Sequence, residues 1–391
     1  MPHSSDWVFI DTAAALDSFC SELQQQLQTQ PWLALDTEFM REKTYYPQLC
    51  LLQVGTADSI ACVDPLALDD LTPLLDIIYD SRYTKIFHAA HQDLEIFYHL
   101  KQTIPSPLFD TQIAAPLLGH PTQAGYAALV QDVLGITLNK GHARTDWSRR
   151  PLSEAQLNYA ADDVRYLGQV YIKLQQQLAA EGRLDWLNDD FARLADPARY
   201  ECEPALAWKR IRASKRMRGK ALAITRALAA WRETRAREKN RPRNWILRDD
   251  TLCDLAQLAP QTRADLKQVR SLSDKQLDQI DTELLPLIRA AIAQPVEKTA
   301  PQQRPQRPSP QQEALIEAMM AVVHIQALHN NMHPSTLASR KDIEKWLLLR
   351  PADSPLMSGW RRTMIGDILN NLLEGKCALQ VCDQSLSLVQ T

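Results

Sequence analysis

Four short apolar runs punctuate the first hundred positions: 32–36 (WLALD), 49–54 (LCLLQV), 59–63 (SIACV) and 85–88 (KIFH). Each is bounded by charged or turn-forming residues and is predicted to be a buried strand. Helical spacing appears between and after them. Leu71, Leu74, Leu75 and Ile78 mark one helix, and Leu94, Phe97 and Tyr98 the next. Residues 111–118, 125–134 and 153–179 supply three more. Strands first, with interleaved and trailing helices, predict an α/β domain on a mixed sheet over residues 1–185.

Beyond residue 203 the strand signals stop. Leu206, Ile211, Leu222, Ile224, Leu228 and Trp231 recur at helical spacing over 204–236, and shorter helical patterns follow at 249–258, 262–268 and 273–292. These predict an all-α module over 203–293. Residues 294–312 are rich in Pro and Gln and almost free of large apolar groups. They cannot bury enough surface to order themselves and are expected to form an extended linker. A second helical module is expected over 313–391. The modules share a faint pattern: Pro242 leads to Arg248 and Asp250, and Pro334 leads at the same offsets to Arg340 and Asp342.

Charge sharpens this division. The 391 residues carry a net charge of only −3, but unevenly. Residues 1–200 hold 14 Lys or Arg against 26 Asp or Glu, whereas 201–294 hold 20 against 12. An acidic first half beside a basic middle implies carboxylate chemistry in one place and polyanion contact in another. The N-terminus has no basic segment followed by an apolar stretch, and no run of about 18 apolar residues occurs, so neither secretion nor a membrane span is expected. The seven cysteines are scattered, without a C-x-x-C pair, as expected for reduced thiols in a cytoplasmic protein.

The acids carry the candidate chemistry. Asp36 and Glu38 end the first strong strand, and i, i+2 spacing on a strand points both to one face. Adjacent carboxylates repel and resist burial, which a divalent cation relieves. Asp93 opens the helix after KIFHAAH; alone it reads as a first-turn acid. Tyr159 and Asp163 in LNYAADDVRYL share a helix face, with Asp162 turned aside. An isolated D-x-E or Y-x-x-x-D is usually an ordinary surface feature; the ordered set is not.

In that order (D-x-E on a strand, an Asp after a later strand, Y-x-x-x-D on a long helix) the chain resembles the tyrosine branch of the DEDD 3′→5′ exonucleases. LALDTEFMREKTYYPQLCLLQV, KIFHAAHQDLEIF, FDTQIAA, ARTDWSRRPL and YAADDVRYL resemble the ribonuclease D family in its own order. The resemblance implies a ribonuclease H-like α/β exonuclease domain followed by two all-α HRDC-like (helicase and RNase D C-terminal) domains. It implies that Asp36, Glu38, Asp93 and Asp163 hold two divalent metal ions, Mg²⁺ or Mn²⁺, and that Tyr159 orients the attacking water. A phenol with a pKa of about 10 is a poor base at neutral pH. The expected reaction is hydrolysis from an RNA 3′ end, releasing nucleoside 5′-monophosphates, with tRNA precursors as substrates and a monomer as the working form.

Neighbouring residues are less defined. Phe39 and Met40 are candidates to wall the pocket for the terminal base. His88 and His91 flank Asp93 and are read as packed or hydrogen-bonded rather than metal ligands. Arg144 and Trp147 are candidate substrate contacts. Residues 209–243 hold 14 Lys or Arg and two acids, Glu233 and Glu238. The densest stretch supplies the nucleic-acid candidates Lys209, Arg210, Arg212, Lys215, Arg216, Arg218 and Lys220. Trp208, Trp231 and Trp245 among them are read as core. Two other functions compete: a DNA 3′→5′ exonuclease with the same carboxylates, and a non-catalytic nucleic-acid adaptor. A helicase is disfavoured because no G-x-x-x-x-G-K-[ST] phosphate loop occurs.

Overall fold

The computed structural model describes residues 7–138, 145–269, 271–272, 274–294 and 307–391, with backbone alone over 274–280. Six strands form one mixed sheet: β1 (Val8–Ile10), β2 (Trp32–Met40), β3 (Gln48–Gly55), β4 (Ile60–Val63), β5 (Thr84–Phe87) and β6 (Leu108–Asp110). Their order is β1-β4-β3-β2-β5-β6, with β3 antiparallel to both neighbours and the other pairs parallel. The apolar run on β2 is continuous because both faces are buried. Leu33 and Leu35 join one cluster; Trp32 and Ala34 join the opposite one.

On the first face lie α1 (Ala13–Gln26), α2 (Thr72–Ile78) and α3 (His91–Lys101). On the second lie α4 (Thr111–Ala114), α5 (Tyr126–Leu134), α6 (Glu154–Arg165) and α7 (Leu167–Ala180). The helix predicted over 153–179 is thus two, separated at Tyr166, whose φ of −102° and ψ of −10° leave helical geometry. A capping box between Ser153 and Gln156 starts α6. Gly168 lets α7 approach β2: a Cβ there would meet the Trp32 ring at 2.2 Å. The predicted unit ended near 185, but α8 (Asn188–Leu194) and Tyr200 continue it, with Leu194 and Tyr200 closing the first-face core.

The first helical module has its own core. It comprises α9 (Gly219–Glu238), α10 (Arg243–Ile246), α11 (Asp249–Leu258), α12 (Arg263–Leu266) and α13 (Asp274–Ala293). The α-helix expected across 204–236 begins only at Gly219; Pro204–Arg210 and Arg212–Arg216 form 3₁₀ turns instead. Seven cations within residues 209–220 repel one another along a regular helix, and only Ala207, Ile211, Ser214 and Met217 reach the interior of that stretch. The module docks on the α/β unit through Tyr45. The buried Glu233 accepts from the Tyr45 hydroxyl, and the Asn240 side chain accepts from the Tyr45 and Tyr46 amides at 3.0 and 3.1 Å.

The last module begins earlier than predicted. Helix α14 (Pro310–His329) starts inside the stretch expected to be linker, because Ser309 and Gln312 form a capping box and Pro310 occupies the first helical position. Then come α15 (Pro334–Leu337), α16 (Arg340–Leu349) and a helical run over 359–373. The module is not all-α: it ends in a hairpin, β7 (Cys377–Cys382) and β8 (Ser385–Gln390). Its two-residue loop, Asp383 and Gln384, adopts positive φ without glycine, so the usual sequence signal for such a turn is missing.

The faint pattern shared by the modules corresponds to repeated geometry. Helices of 20, 4 and 10 residues follow in the same order, α9–α11 and α14–α16. Each 10-residue helix is closed by a non-glycine residue in the left-handed region, Ala259 and Arg350. The last module packs on the α/β unit through one continuous core. Trp360 stacks on Trp186 with centroids 4.6 Å apart and rings 7° from parallel, and its indole N–H donates to the Trp186 carbonyl. Arg183 donates to the carbonyls of Leu117 and Asn330, each at 2.6 Å, bridging both units.

Candidate active site

The acidic cluster forms where β2 meets α6. Asp36 and Glu38 project from the β2 face that carries Trp32 and Ala34, and α6 lies across that face. Gly55 on β3 permits the close approach, since a Cβ there would sit 3.1–3.3 Å from Val164. Asp163, beside Val164, thereby comes down onto the strand. Carboxylate oxygens of Asp36, Glu38 and Asp163 lie within 4.8 Å of one another. A bulge between Glu38 and Phe39 then redirects the end of β2.

Asp93 arrives from the opposite layer. It is buried in the first turn of α3 and accepts a 2.5 Å hydrogen bond from Thr37, the residue between the paired acids. It stands outside the three-residue cluster, but its charge acts on all of them. The β5–α3 turn that positions it is held by Asp110, which accepts from the amides of Ala89, Ala90 and Gln112. Asp110 belongs to the FDTQ segment and is a structural acid. Ala89 adopts a φ of 62° in that turn.

Burial dominates the electrostatics. Desolvation and the neighbouring charges of Asp93, Asp163 and Glu38 hold Asp36 well above the carboxylate range. Glu38 is pushed up to about 8 by burial and by Asp163 and Asp93. Asp163 rises to about 7 through burial, Asp162 and Asp93. Asp93 also rises to about 7, burial outweighing its bonds from Thr37. An all-oxygen set whose charges are desolvated and mutually repelling fits a hard divalent cation. Tyr159 lies close enough that Asp163, Glu38 and Asp36 raise its phenol further above its ordinary range, beyond the effect of burial.

The other candidates divide. Trp147 is 3% exposed and stacks on Tyr159, with centroids 6.3 Å apart, so it supports the tyrosine from the core rather than meeting solvent. Arg150 fixes this segment, pairing with Asp64 at 2.5 Å and donating to the carbonyls of Trp147 and Cys50. Arg144 lies outside the described residues. Phe39 and Met40 are partly exposed beyond the bulge, and Met40 packs on the core beneath. Both ring nitrogens of His88 are engaged, at 2.9 Å each, by the Thr111 hydroxyl and the Ala124 carbonyl. His91 is exposed, with its ring 5.3 Å from that of Tyr200.

Sequence reasoning missed Gln53. It faces Asp36 in register on β3, is fully buried, and its amide has no hydrogen-bond partner among the described residues. Its place inside an apolar strand was the available signal: a buried carboxamide needs a partner. The seven cations of 209–220 are all exposed. Trp208 and Trp231 are partly buried, and Trp231 donates to Glu283 at 2.6 Å. Trp245, expected in the core, is 56% exposed, with Arg241 over its ring.

A carboxylate cluster on a mixed sheet, faced by a Tyr-x-x-x-Asp helix and followed by helical modules, defines a 3′→5′ exonuclease of the acidic, divalent-metal type. Residues 7–179 match the 3′–5′ exonuclease family model, and residues 221–288 match that of the HRDC domain. Ribonuclease D of Sphingobium indicum is 39% identical over 387 residues, covering 98% of each chain. That of Gluconacetobacter diazotrophicus is 40% identical over 365 residues, covering 91% of each. The crystal structure of Escherichia coli RNase D superposes with a TM-score of 0.78 at 34% identity, covering 94% of this chain and 99% of that one. The chain belongs to the ribonuclease D family and is a hydrolytic 3′→5′ exoribonuclease. Among its described residues no helix is long and apolar enough to cross a membrane.

Proposed function

We propose that this protein trims 3′ extensions from structured RNA, tRNA precursors first, as a cytoplasmic monomer with two bound Mg²⁺ or Mn²⁺ ions. The observation that carries the reading is the convergence of Asp36, Glu38 and Asp163 within 4.8 Å, with Asp93 beside them. The Escherichia coli relative is described as an exoribonuclease involved in structured RNA processing. In this reading the residues up to about 200 form the catalytic unit, and the two helical modules grip the body of the RNA.

Asp36, Glu38, Asp93 and Asp163 would hold the ions. When bound, divalent cations neutralise the cluster, make the attacking water more acidic and stabilise the leaving 3′-oxygen. Burial and the neighbouring carboxylates raise the Tyr159 phenol above its ordinary range, so in this reading its hydroxyl orients the water rather than removing its proton. Trp147 behind the ring and Arg150 behind Trp147 hold that hydroxyl in place. Phe39 and Met40, beyond the bulge, would wall the pocket for the terminal base. Lys209, Arg210, Arg212, Lys215, Arg216, Arg218 and Lys220 offer exposed charge to the phosphate backbone.

A timed digest of a 3′-extended tRNA and a matched DNA strand, with Mg²⁺ or Mn²⁺ and with EDTA, tests this. Nucleoside 5′-monophosphates should leave from the RNA 3′ end only with metal, and digestion should stop near the mature end. Asp163→Asn should lower turnover about a thousandfold or more while still binding RNA. Wild-type turnover by that variant would sink the assignment.

A further inference from the structure

Between the catalytic unit and the first helical module lies a cavity of about 270 Å³, lined by Arg41, Tyr45, Tyr46, Arg199, Tyr200 and Arg210 among others. A second, of about 360 Å³, shares Arg41, Tyr45, Arg210 and Arg243 with it and continues to Pro242 and Asn244. Asn244 precedes the exposed Trp245. The two cavities form one seam along the junction of the modules, lined by arginines and aromatic rings with Glu42, Glu95, Glu201 and Asp249 among them.

The arginines there are not equivalent. Arg41 is neutralised by Glu95 at 2.7 Å, and Arg243 by Glu233 at 2.5 Å. Arg237 has its guanidinium 3.9 Å from Glu201. The guanidinium groups of Arg199 and Arg210 have no acidic or hydrogen-bonding partner among the described residues, and both residues are exposed. One comes from the catalytic unit and the other from the helical module, yet both line the same cavity. Two unpaired guanidinium groups facing a shared space favour an anion between them, and their planar forks suit phosphate oxygens. Tyr46, partly exposed, can meet a base, whereas Tyr45 and Tyr200 are buried and only shape the wall.

Position ties the seam to the acidic cluster. The strand that carries Asp36 and Glu38 leads into Arg41, and the helix that carries Asp93 supplies His91 and Glu95 to the cavity wall. Glu38 and Arg41 are separated by at most about 10 Å of chain, the bulge after Glu38 shortening the path. That is about three stacked nucleotides. We propose that this seam is a binding site for single-stranded RNA upstream of the 3′-terminal nucleotides, with Arg199 and Arg210 clamping a backbone phosphate. The proposal rests on the reading of the acidic cluster as the hydrolytic centre only for the direction of the strand.

The test is fluorescence anisotropy in EDTA with 5′-labelled two- and eight-nucleotide RNAs, so that binding is read without hydrolysis. Wild-type protein should hold the octamer at least about tenfold tighter than the dimer. Arg199→Ala/Arg210→Ala should abolish most of that gain, and its log–log salt slope should fall by about 1.4 for two lost contacts. Arg199→Lys/Arg210→Lys should keep most of the slope and lose part of the affinity. Unchanged octamer affinity and slope in the alanine variant would overturn the proposal. So would equal dimer and octamer affinity in the wild type. Parallel digests with Mn²⁺ separate the two readings. RNA bound through the seam but never hydrolysed rejects the hydrolytic centre alone; hydrolysis with the length dependence intact in the alanine variant rejects the seam alone.

Discussion

The metal-free protein should be stabilised by the substitution that disables it. At pH 8 the cluster holds carboxylates against both burial and one another. Glu38, pushed up to about 8 from an ordinary 4.5, shows the scale: about 3.5 pH units, or about 5 kcal/mol at 1.36 kcal/mol per unit. A carboxylate raised in the folded state binds more protons there than when unfolded. Its contribution is therefore complete below about pH 4 and is lost as pH rises through about 7 to 8, where Asp93, Asp163 and Glu38 titrate. Asp163→Asn removes one charge from the cluster and should recover about 1–3 kcal/mol at pH 8, or about 5 °C in Tm for a unit of this size. The assay is thermal unfolding in EDTA from pH 5 to 9, wild type against variant. The gap should open with pH and close again for the wild type on adding Mn²⁺. If Asp163→Asn unfolds at a lower temperature than wild type in EDTA at pH 8, the account of the cluster as a frustrated cation site is refuted.

Three further outcomes follow from individual contacts. Tyr159→Phe keeps the ring on Trp147 and removes only the hydroxyl, so kcat should fall about 10- to 100-fold with KM little changed; a KM effect alone would point to substrate binding instead. Gln53→Leu replaces a buried amide that has no partner, so metal-free stability should hold or rise, while Mn²⁺ affinity by calorimetry should weaken severalfold if the amide orients Asp36. Trp360→Ala removes the stack on Trp186 and should cost about 3–5 kcal/mol of docking, read as new protease cleavage between the units; an unchanged digest would show that the remaining core suffices.

Much of this was legible in the chain. Strands β2 to β5 are apolar runs bounded by breakers, and the sheet's burial on both faces makes such runs continuous. Strand β1 and β6, three residues each, are too short to leave a pattern. Helix α1 did carry one, with Leu16, Phe19, Cys20 and Leu23 at helical spacing, and went unread. The candidate site acids announced themselves by spacing, since i, i+2 on a strand and i, i+4 on a helix are fixed by backbone geometry. Gln53 was hidden because one polar residue in an apolar strand does not reveal what it faces.

What the linear order of residues determined was local: which segments become strands and helices, which side chains share a face, and where charge accumulates. These depend on backbone period and on the free energy of burying each group. Packing decided the rest. Gly55 brings Asp163 down to Asp36, Thr37 holds Asp93 from the far side of the sheet, and Trp360 seats the last module on Trp186. It also decided that Glu233, one of two acids in a basic stretch, is a docking residue, and that Arg199 and Arg210 face each other's module unpaired. Contacts between segments this far apart in the chain depend on shape and on which partners are left over once each core is filled, and neither is written in any one stretch of sequence.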